Sequence, residues 1–325
     1  MSNQLLDVKG LKVYYSGLKG LVKAVDDVSF QVGKKEICGI AGESGCGKST
    51  LASALARLIV PPGYIEEGQI VFDGTDLLKL DEEQFREIRW KRISIVPQSA
   101  MNALNPVMKV SEQIADAITA HENVPDRDLN ERIPELLKSV GLFPEVARMF
   151  PHELSGGMKQ RAVIAMAIAL RPDLVIADES TSALDVTIQR LILQTLMDLR
   201  RRLGFSLILI AHDMAVQAQT VDRLNVMYAG KIVETGSAID LFKEPLHPYS
   251  KMLISSVPSL KAKKIFEAIP GLPPNLINPP SGCRFHPRCP HIMDICRIEE
   301  PKLCEVRRNG LVACHLFGDG IEQRI

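Results

Sequence analysis

No stretch of this sequence is long and apolar enough to cross a bilayer. The longest unbroken apolar run, Ala162 to Leu170, covers nine residues and is closed at both ends by arginine. A spanning helix needs roughly 20 such residues. Met1 to Gly10 lack the charged-then-apolar order of a secretory leader. A charge excess is missing too: 39 basic and 39 acidic side chains balance to a formal net charge of zero. That balance removes the basic surplus expected of a nucleic-acid binder. Aromatic residues make up only 5% of the chain, but 46% of it is hydrophobic and 24% charged. This is the balance of a soluble globular protein able to bury a sizeable core. The expectation is a chain that begins and stays in the cytoplasm and reaches a membrane only through partners.

The 325 residues suggest about two domains. Leu5 to Tyr15 and Ala24 to Val32 read as strands, with β-branched residues and partial alternation. Glu36 to Ala41 is a short apolar strand that runs into a glycine-rich turn, and Lys48 to Ile59 reads as a helix stopped by Pro61-Pro62-Gly63. Gly68 to Phe72 and Ile93 to Val96 are further strands, and Val110 to Phe150 is helical in pattern. A second core follows, with helix Gly156–Leu170, strand Leu174–Ala177, helix Thr187–Leu203 and strand Ser206–Ala211. Alternating strands and helices imply a parallel sheet covered on both faces. Arg223 to Val233 adds a pair of short strands. Beyond Pro258 the composition shifts, and Pro270 to Pro280 holds five prolines and one glycine in eleven residues, the mark of an extended linker. No internal repeat is visible.

Gly42-Glu43-Ser44-Gly45-Cys46-Gly47-Lys48-Ser49 joins an apolar strand to a helix and satisfies the P-loop pattern. Its glycines let successive backbone N–H groups turn toward phosphate oxygens, and the helix start adds partial positive charge. Lys48 would reach the β- and γ-phosphates, the Ser49 hydroxyl would bind Mg²⁺, and Thr50 would lie near the α-phosphate. Downstream, Leu174 to Glu179 is an apolar strand ending in two carboxylates. At a strand's C-terminal end such groups face the ligand crevice of an α/β sheet. Asp178 suits the Mg²⁺ site, and Glu179 can take the proton of an attacking water.

Between these motifs lies Leu154-Ser155-Gly156-Gly157-Met158-Lys159-Gln160-Arg161, where a hydroxyl and two glycines open another helix. This is a second anion cradle. In this combination the chain resembles the ATP-binding subunits of ABC transporters over about Leu5 to Val257, with all the motifs in order. The resemblance implies an α/β P-loop NTPase with a RecA-like core, an antiparallel β subdomain and an α-helical subdomain. It also implies two ATP molecules sandwiched between two head-to-tail subunits, so that Ser155, Gly156 and Gly157 serve a nucleotide held by the other subunit. It assigns Gln98 to Mg²⁺ and to sensing of the membrane partner, His212 to the γ-phosphate, and Ser182 to Asp185 to the loop crossing the dimer interface. Tyr15, with Tyr14 beside it as the alternative, takes the place of the aromatic that stacks on adenine. Ser180 departs from the family, which usually has proline after the catalytic glutamate.

Five of the seven cysteines crowd the last 43 positions. In a reducing compartment such a group reads as a metal site before it reads as disulfides. Cys283, Cys289, Cys296 and Cys314 are separated by five, six and seventeen residues, none of them the two-residue knuckle of a common zinc ribbon. Chemistry alone leaves zinc and an iron–sulfur cluster open. His286, His291 and His315 are secondary candidates as ligands. Cys304 stands outside the pattern, Cys38 reads as a buried strand residue, and Cys46 as a variable position of the loop.

The segment Gly282 to Pro290 with Ala313-Cys314-His315-Leu316, together with Pro245 to Tyr249 and Pro270 to Pro274, resembles the C-terminal extension of oligopeptide and dipeptide importer ATPases. Leu104-Asn105-Pro106 resembles a turn of the same subfamily. That resemblance favours a structural [4Fe-4S] cluster on Cys283, Cys289, Cys296 and Cys314. It divides the chain at 1–258 and 259–325, with the helical subdomain at about 100–165. It further implies a second, commonly different, ATPase subunit, two permeases and an extracytoplasmic solute-binding protein. Oligosaccharide or nickel cargo is the alternative within this class. A soluble ABC ATPase of DNA repair or translation is the alternative outside it, disfavoured by the single cassette and the importer-like tail.

Overall fold

The structure, a computed structural model, describes residues 4–98, 103–179, 185–211, 213–255, 269–307 and 310–317. Its strands are β1 Gln4–Gly17, β2 Gly20–Gly33, β3 Ile37–Ala41, β4 Gly63–Phe72, β5 Thr75–Asp76, β6 Ile93–Val96, β7 Leu174–Asp178, β8 Ser206–Ile210, β9 Arg223–Tyr228, β10 Lys231–Ser237, β11 Cys304–Arg307 and β12 Gly310–Val312. The helices are α1 Lys48–Leu55, α2 Glu82–Arg86, α3 Val110–Thr119, α4 Asp126–Ser139, α5 Gly156–Ile168, α6 Val186–Leu203, α7 Met214–Thr220, α8 Ala238–Lys243, α9 Pro248–Ser255 and α10 Ile295–Ile298. The chain divides into two compact units. One contains 1–32, 37–78 and 210–325, and the other contains 33–36 and 79–209.

In the first unit, an antiparallel sheet runs in the order β2-β1-β4-β5. Its longest pairing sets Leu6 opposite Phe72 and Tyr15 opposite Gly63. Leu6 and Val8 are buried, and Leu11 and Val13 take up the buried positions in the opposite parity after a register shift at Lys9 to Lys12. A second run of strands follows the order β11-β12-β10-β9-β3. β3 pairs with β9 in parallel, and its five residues are all buried, as a strand covered on both faces requires. Helix α1 ends at Leu55, four residues short of the sequence reading, because Arg57 turns left-handed before the prolines are reached.

The tail holds a feature that its proline content concealed. β11 and β12 pair antiparallel, and β12 adds to β10 through Glu234–Val312 and Thr235–Leu311. The proline-rich stretch is irregular, but its Leu276 carbonyl accepts from Lys23 N–H at 3.0 Å. The tail from Ile269 on thus completes the sheet that carries the phosphate loop.

The second unit carries β8-β7-β6, with β6 and β7 parallel from Ile93–Leu174 to Val96–Ala177. The nine-residue apolar run is the body of α5, with Ala162, Val163, Ile164, Ala165, Ala167 and Ile168 all buried. A helix apolar on every side is a core helix. Helices α3 and α4 are one-sided, burying Val110, Ile114 and Ile118 and then Leu129, Ile133 and Leu137 at the helical spacing. Among the described residues no helix is long and apolar enough to cross a membrane.

Candidate functional site

The phosphate loop belongs to the first unit and is fixed by contacts that only glycine permits. Gly42 and Gly47 both have positive φ, 153° and 108°. A Cβ on Gly42 would lie 2.1 Å from the Met227 carbonyl oxygen, and one on Gly47 would lie 2.0 Å from that of Ala24. Strands β9 and β2 thus press directly on the loop backbone. Gly45, at its open side, would meet nothing within 4 Å. Cys46 is buried facing the loop interior, and its carbonyl accepts from Gly230 N–H at 2.9 Å. Burial pushes its thiol above the ordinary range, so it behaves as a small neutral filler.

Lys48 is 3% exposed. Its Nζ donates to the Gly42 carbonyl at 2.8 Å and the Glu43 carbonyl at 2.9 Å. The ammonium is held inside the curve of the loop, where an incoming polyphosphate would meet it. Ser49 and Thr50 follow in the first turn of α1, half-buried. On β1, Tyr14 is buried and its hydroxyl donates to Asp26 Oδ1 at 2.6 Å. Tyr15 is half-buried, with its ring lying where a Cβ on Gly63 would come within 2.5 Å. The structure therefore gives the two tyrosines different duties: Tyr14 is part of the packing, and Tyr15 keeps a partly open ring.

The acidic strand end belongs to the second unit. Asp178 and Glu179 close β7 and are 5% and 6% exposed. Glu179 has φ of +43°, a left-handed conformation that a glutamate rarely adopts. Such strain persists where surrounding structure enforces it, and it collects at functional positions. Gln98 Nε2 donates to Glu179 Oε2 at 2.5 Å, so two candidates named from sequence meet directly. Beyond Gln98, Gln113 fastens the Leu104-Asn105-Pro106 turn by accepting from Asn105 N–H at 2.8 Å and donating to the carbonyls of Asn105 and Met108 at 3.0 and 2.9 Å. Sequence reasoning missed Gln113, because a buried glutamine on a helix has no signature.

Ser155 is the N-cap of α5, and its Oγ accepts from Met158 N–H at 3.3 Å. Gly157 is a glycine for a local reason, since a Cβ there would lie 2.9 Å from Ile188 Cγ2. Ser155 is exposed, and Gly156 and Gly157 are half-buried. Asp185 caps α6 by accepting from Ile188 N–H at 3.0 Å. His212, Ser180 and Ser182 to Leu184 lie outside the described residues.

Four tail cysteines gather in the first unit, with Cys283 N–H donating to the Cys296 carbonyl at 2.9 Å. Burial pushes the Cys283 thiol up to about 11 and the Cys314 thiol up to about 12. The charges of Cys283, Cys289 and Cys296 add to the rise at Cys314. His286 Nδ1 and His315 Nε2 lie 2.9 and 2.8 Å from the carbonyls of Cys283 and Glu299, which engages one ring nitrogen of each. Cys304 lies on β11, half-buried. Among the described residues no three His, Cys, Asp or Glu side chains are placed to hold a metal ion. The side chains as placed favour neither zinc nor an iron–sulfur cluster.

The tail also supplies residues that sequence motifs did not single out. Arg288 forms a two-pronged ion pair with Glu43 of the phosphate loop, and Arg284 pairs with Asp26. Arg288 lies over the rings of Tyr228 and Phe285, and the Phe285 centroid is 5.2 Å and 5.4 Å from those of Tyr228 and Tyr249.

Residues 25–182 match the family described as ABC transporter, and residues 233–296 match the one described as Oligopeptide/dipeptide transporter, C-terminal region. The dipeptide transport ATP-binding protein DppD of Caldanaerobacter subterraneus subsp. tengcongensis is 44% identical, covering 97% of this chain and 98% of that protein. The oligopeptide transport ATP-binding protein OppD of Bacillus subtilis is 45% identical, covering 93% and 86%. OppD of Escherichia coli is 44% identical, covering 96% and 93%. Among solved structures, the dimeric post-hydrolysis state of the ATP-binding cassette MJ0796, bound to ADP and Pi, superposes with a TM-score of 0.65 at 26% identity, covering 72% of this chain and 99% of that one.

Proposed function

The chain belongs to the ATP-binding subunits of the oligopeptide and dipeptide ABC transporters, and from that premise we propose that it hydrolyses ATP to drive peptide uptake in company with a second ATPase subunit. The observation that carries the chemistry is Glu179, forced left-handed at the end of β7 and gripped by Gln98. A carboxylate so fixed is poised to accept the proton of a water attacking the γ-phosphate. Lys48 neutralises phosphate charge, and the loop N–H groups hold the phosphate oxygens. Mg²⁺ would be held by Ser49, Gln98 and Asp178 and would offset charge building on the phosphates. Tyr15 would stack on adenine, and His212 would contact the γ-phosphate. Ser155, Gly156, Gly157 and Asp185 would complete the nucleotide site of the partner ATPase, so that ATP closes the pair and hydrolysis reopens it.

The work is passed to two permeases, which place the subunit on the cytoplasmic face of the membrane, with a solute-binding protein delivering cargo from outside. The likeness to DppD and OppD, transport ATP-binding proteins, supports this reading. Cys283, Cys289, Cys296 and Cys314 would hold a [4Fe-4S] cluster through four soft thiolates, with zinc as the alternative. Its role would be structural. Iron and acid-labile sulfide in anaerobically purified protein support this assignment, and stoichiometric zinc overturns it.

The test of the whole reading uses Glu179→Gln in vesicles holding the chain with its second ATPase, permeases and binding protein. ATP binding is retained, turnover falls about 10²- to 10⁴-fold, the ATPase pair is trapped closed, and peptide uptake stops. Hydrolysis at the unaltered rate in that variant sinks the assignment of the base. Unaltered peptide uptake without hydrolysis sinks the coupling.

A further inference from the structure

The second residue of the phosphate loop is an acid, Glu43, between Gly42 and Ser44. A carboxylate free to swing in a loop built for polyphosphate would repel its ligand. The structure removes that freedom from two directions. Arg288 Nη1 and Nη2 donate to the two carboxylate oxygens of Glu43 at 2.6 and 2.9 Å. The Tyr249 hydroxyl accepts from Glu43 N–H at 2.8 Å. The Arg288 side chain is 5% exposed and that of Glu43 22%, so this pair is not a solvent-screened surface contact. Arg288 is itself held, since its Nε donates to the Pro270 carbonyl at 2.7 Å. A guanidinium fork locked at both ends fixes the direction of the acid as well as its charge.

We propose that Arg288 is a positioning residue for the phosphate loop: through Glu43 it turns the loop's one carboxylate outward and sets the backbone that receives the ATP phosphates. The C-terminal extension thereby acts on nucleotide affinity, beyond any part it has in anchoring a metal group. The inference rests on the reading of Gly42 to Ser49 as an ATP site, and its test separates the two.

The full-length chain is titrated with Mg-ATP, and thermal melting without nucleotide is followed in parallel. Lys48→Ala tests the site itself and is expected to abolish binding. Arg288→Met is expected to raise the Kd for ATP about tenfold, and Glu43→Gln in that background to recover part of that loss by removing the freed carboxylate, the mark of two residues acting as a unit. Arg288→Lys, which keeps charge but loses the fork, is the milder variant should the methionine form fold poorly. Its Kd is expected about threefold above that of the unaltered chain. Lys231→Met breaks the tail's separate ion pair with Glu300. It is expected to lower the melting temperature without changing the Kd, as a purely structural anchor would. Should Lys48→Ala bind ATP normally, the reading of the loop as an ATP site fails. Should Lys48→Ala lose binding while Arg288→Met and Arg288→Lys lower only the melting temperature, the ATP site stands and the positioning role falls.

Discussion

The chain opens two helices on glycine cradles, and they are built differently. At Gly42 to Ser49 the loop is walled by backbone carbonyls of Met227 and Ala24, filled by a buried lysine and braced by an arginine from the tail. At Ser155 to Gly157 the serine is exposed and serves as a helix cap, and among the described residues the close approach at Gly157 is a side-chain methyl of Ile188. The first cradle carries its own cation and its own walls. The second offers helix-end N–H groups and a hydroxyl on an open surface. A site of that kind gains strength when another molecule closes over it, because removing water strengthens every polar contact inside. The contrast supports the division of labour proposed above, in which one chain holds ATP in the first cradle and presses the second against its partner's ATP.

The same substitution in both cradles gives the largest expected difference. Gly47→Ala places a side chain at φ of +108° and 2.0 Å from a backbone oxygen. Left-handed strain alone costs about 1–2 kcal/mol, and the clash forces the loop away from its wall. Titration should find ATP binding lost and melting should find the chain destabilised. Gly157→Ala meets a side-chain methyl at 2.9 Å rather than a backbone wall and has no left-handed φ to strain, so a small shift of the Ile188 side chain accommodates it and the cost should be about 1 kcal/mol. Equal losses would erase the distinction drawn between the cradles.

Ser155→Ala separates them by function. It removes a helix cap, costing about 1 kcal/mol of stability. ATP-driven association should weaken while the Kd of the single chain for ATP stays unchanged. Sedimentation with and without ATP reads the first quantity and titration the second. A change in single-chain affinity with association intact would reverse the assignment.

The effect that leaves ATP binding untouched concerns the packing behind the first cradle. His247 is 1% exposed, its Nδ1 accepts from Tyr249 N–H at 3.0 Å, and burial holds its pKa down to about 3. The unfolded chain then binds a proton that the folded chain refuses, so stability is lost as pH falls below the ordinary histidine value of about 6.5. Between about pH 7.5 and about pH 5 the loss is about 2 kcal/mol. Glu234, which accepts from His247 N–H, is pushed the other way by burial. Comparing the unaltered chain with His247→Gln leaves the Glu234 part common to both. Identical pH profiles of melting would remove His247 as the cause.

Much of the fold was legible because its signals are local. β6 has the bounds read from sequence, and β7 and β8 each differ by one residue, since short apolar runs between helices have one solution in an α/β unit. The helical pattern from Val110 to Phe150 resolved into α3 and α4 for the same reason. The β11–β12 pairing was missed, although Cys304-Glu305-Val306-Arg307 alternates and Asn309-Gly310 is a hairpin signal, because the cysteine pattern of the tail drew the reading toward a metal site. Its strands exist because β10 offers an edge. Tyr14 and Tyr15 could not be told apart by composition, and only the buried partner Asp26 shows which one is committed to packing.

The amino-acid sequence by itself determined the phosphate loop, the acidic strand end, the second cradle and the family, because each is a run of neighbouring residues whose spacing is the chemistry. The grip of Gln98 on Glu179 and of Arg288 on Glu43 was decided by the tertiary structure alone. Those pairs are 81 and 245 residues apart, and no local pattern can register a contact whose partners meet only after the core between them has folded.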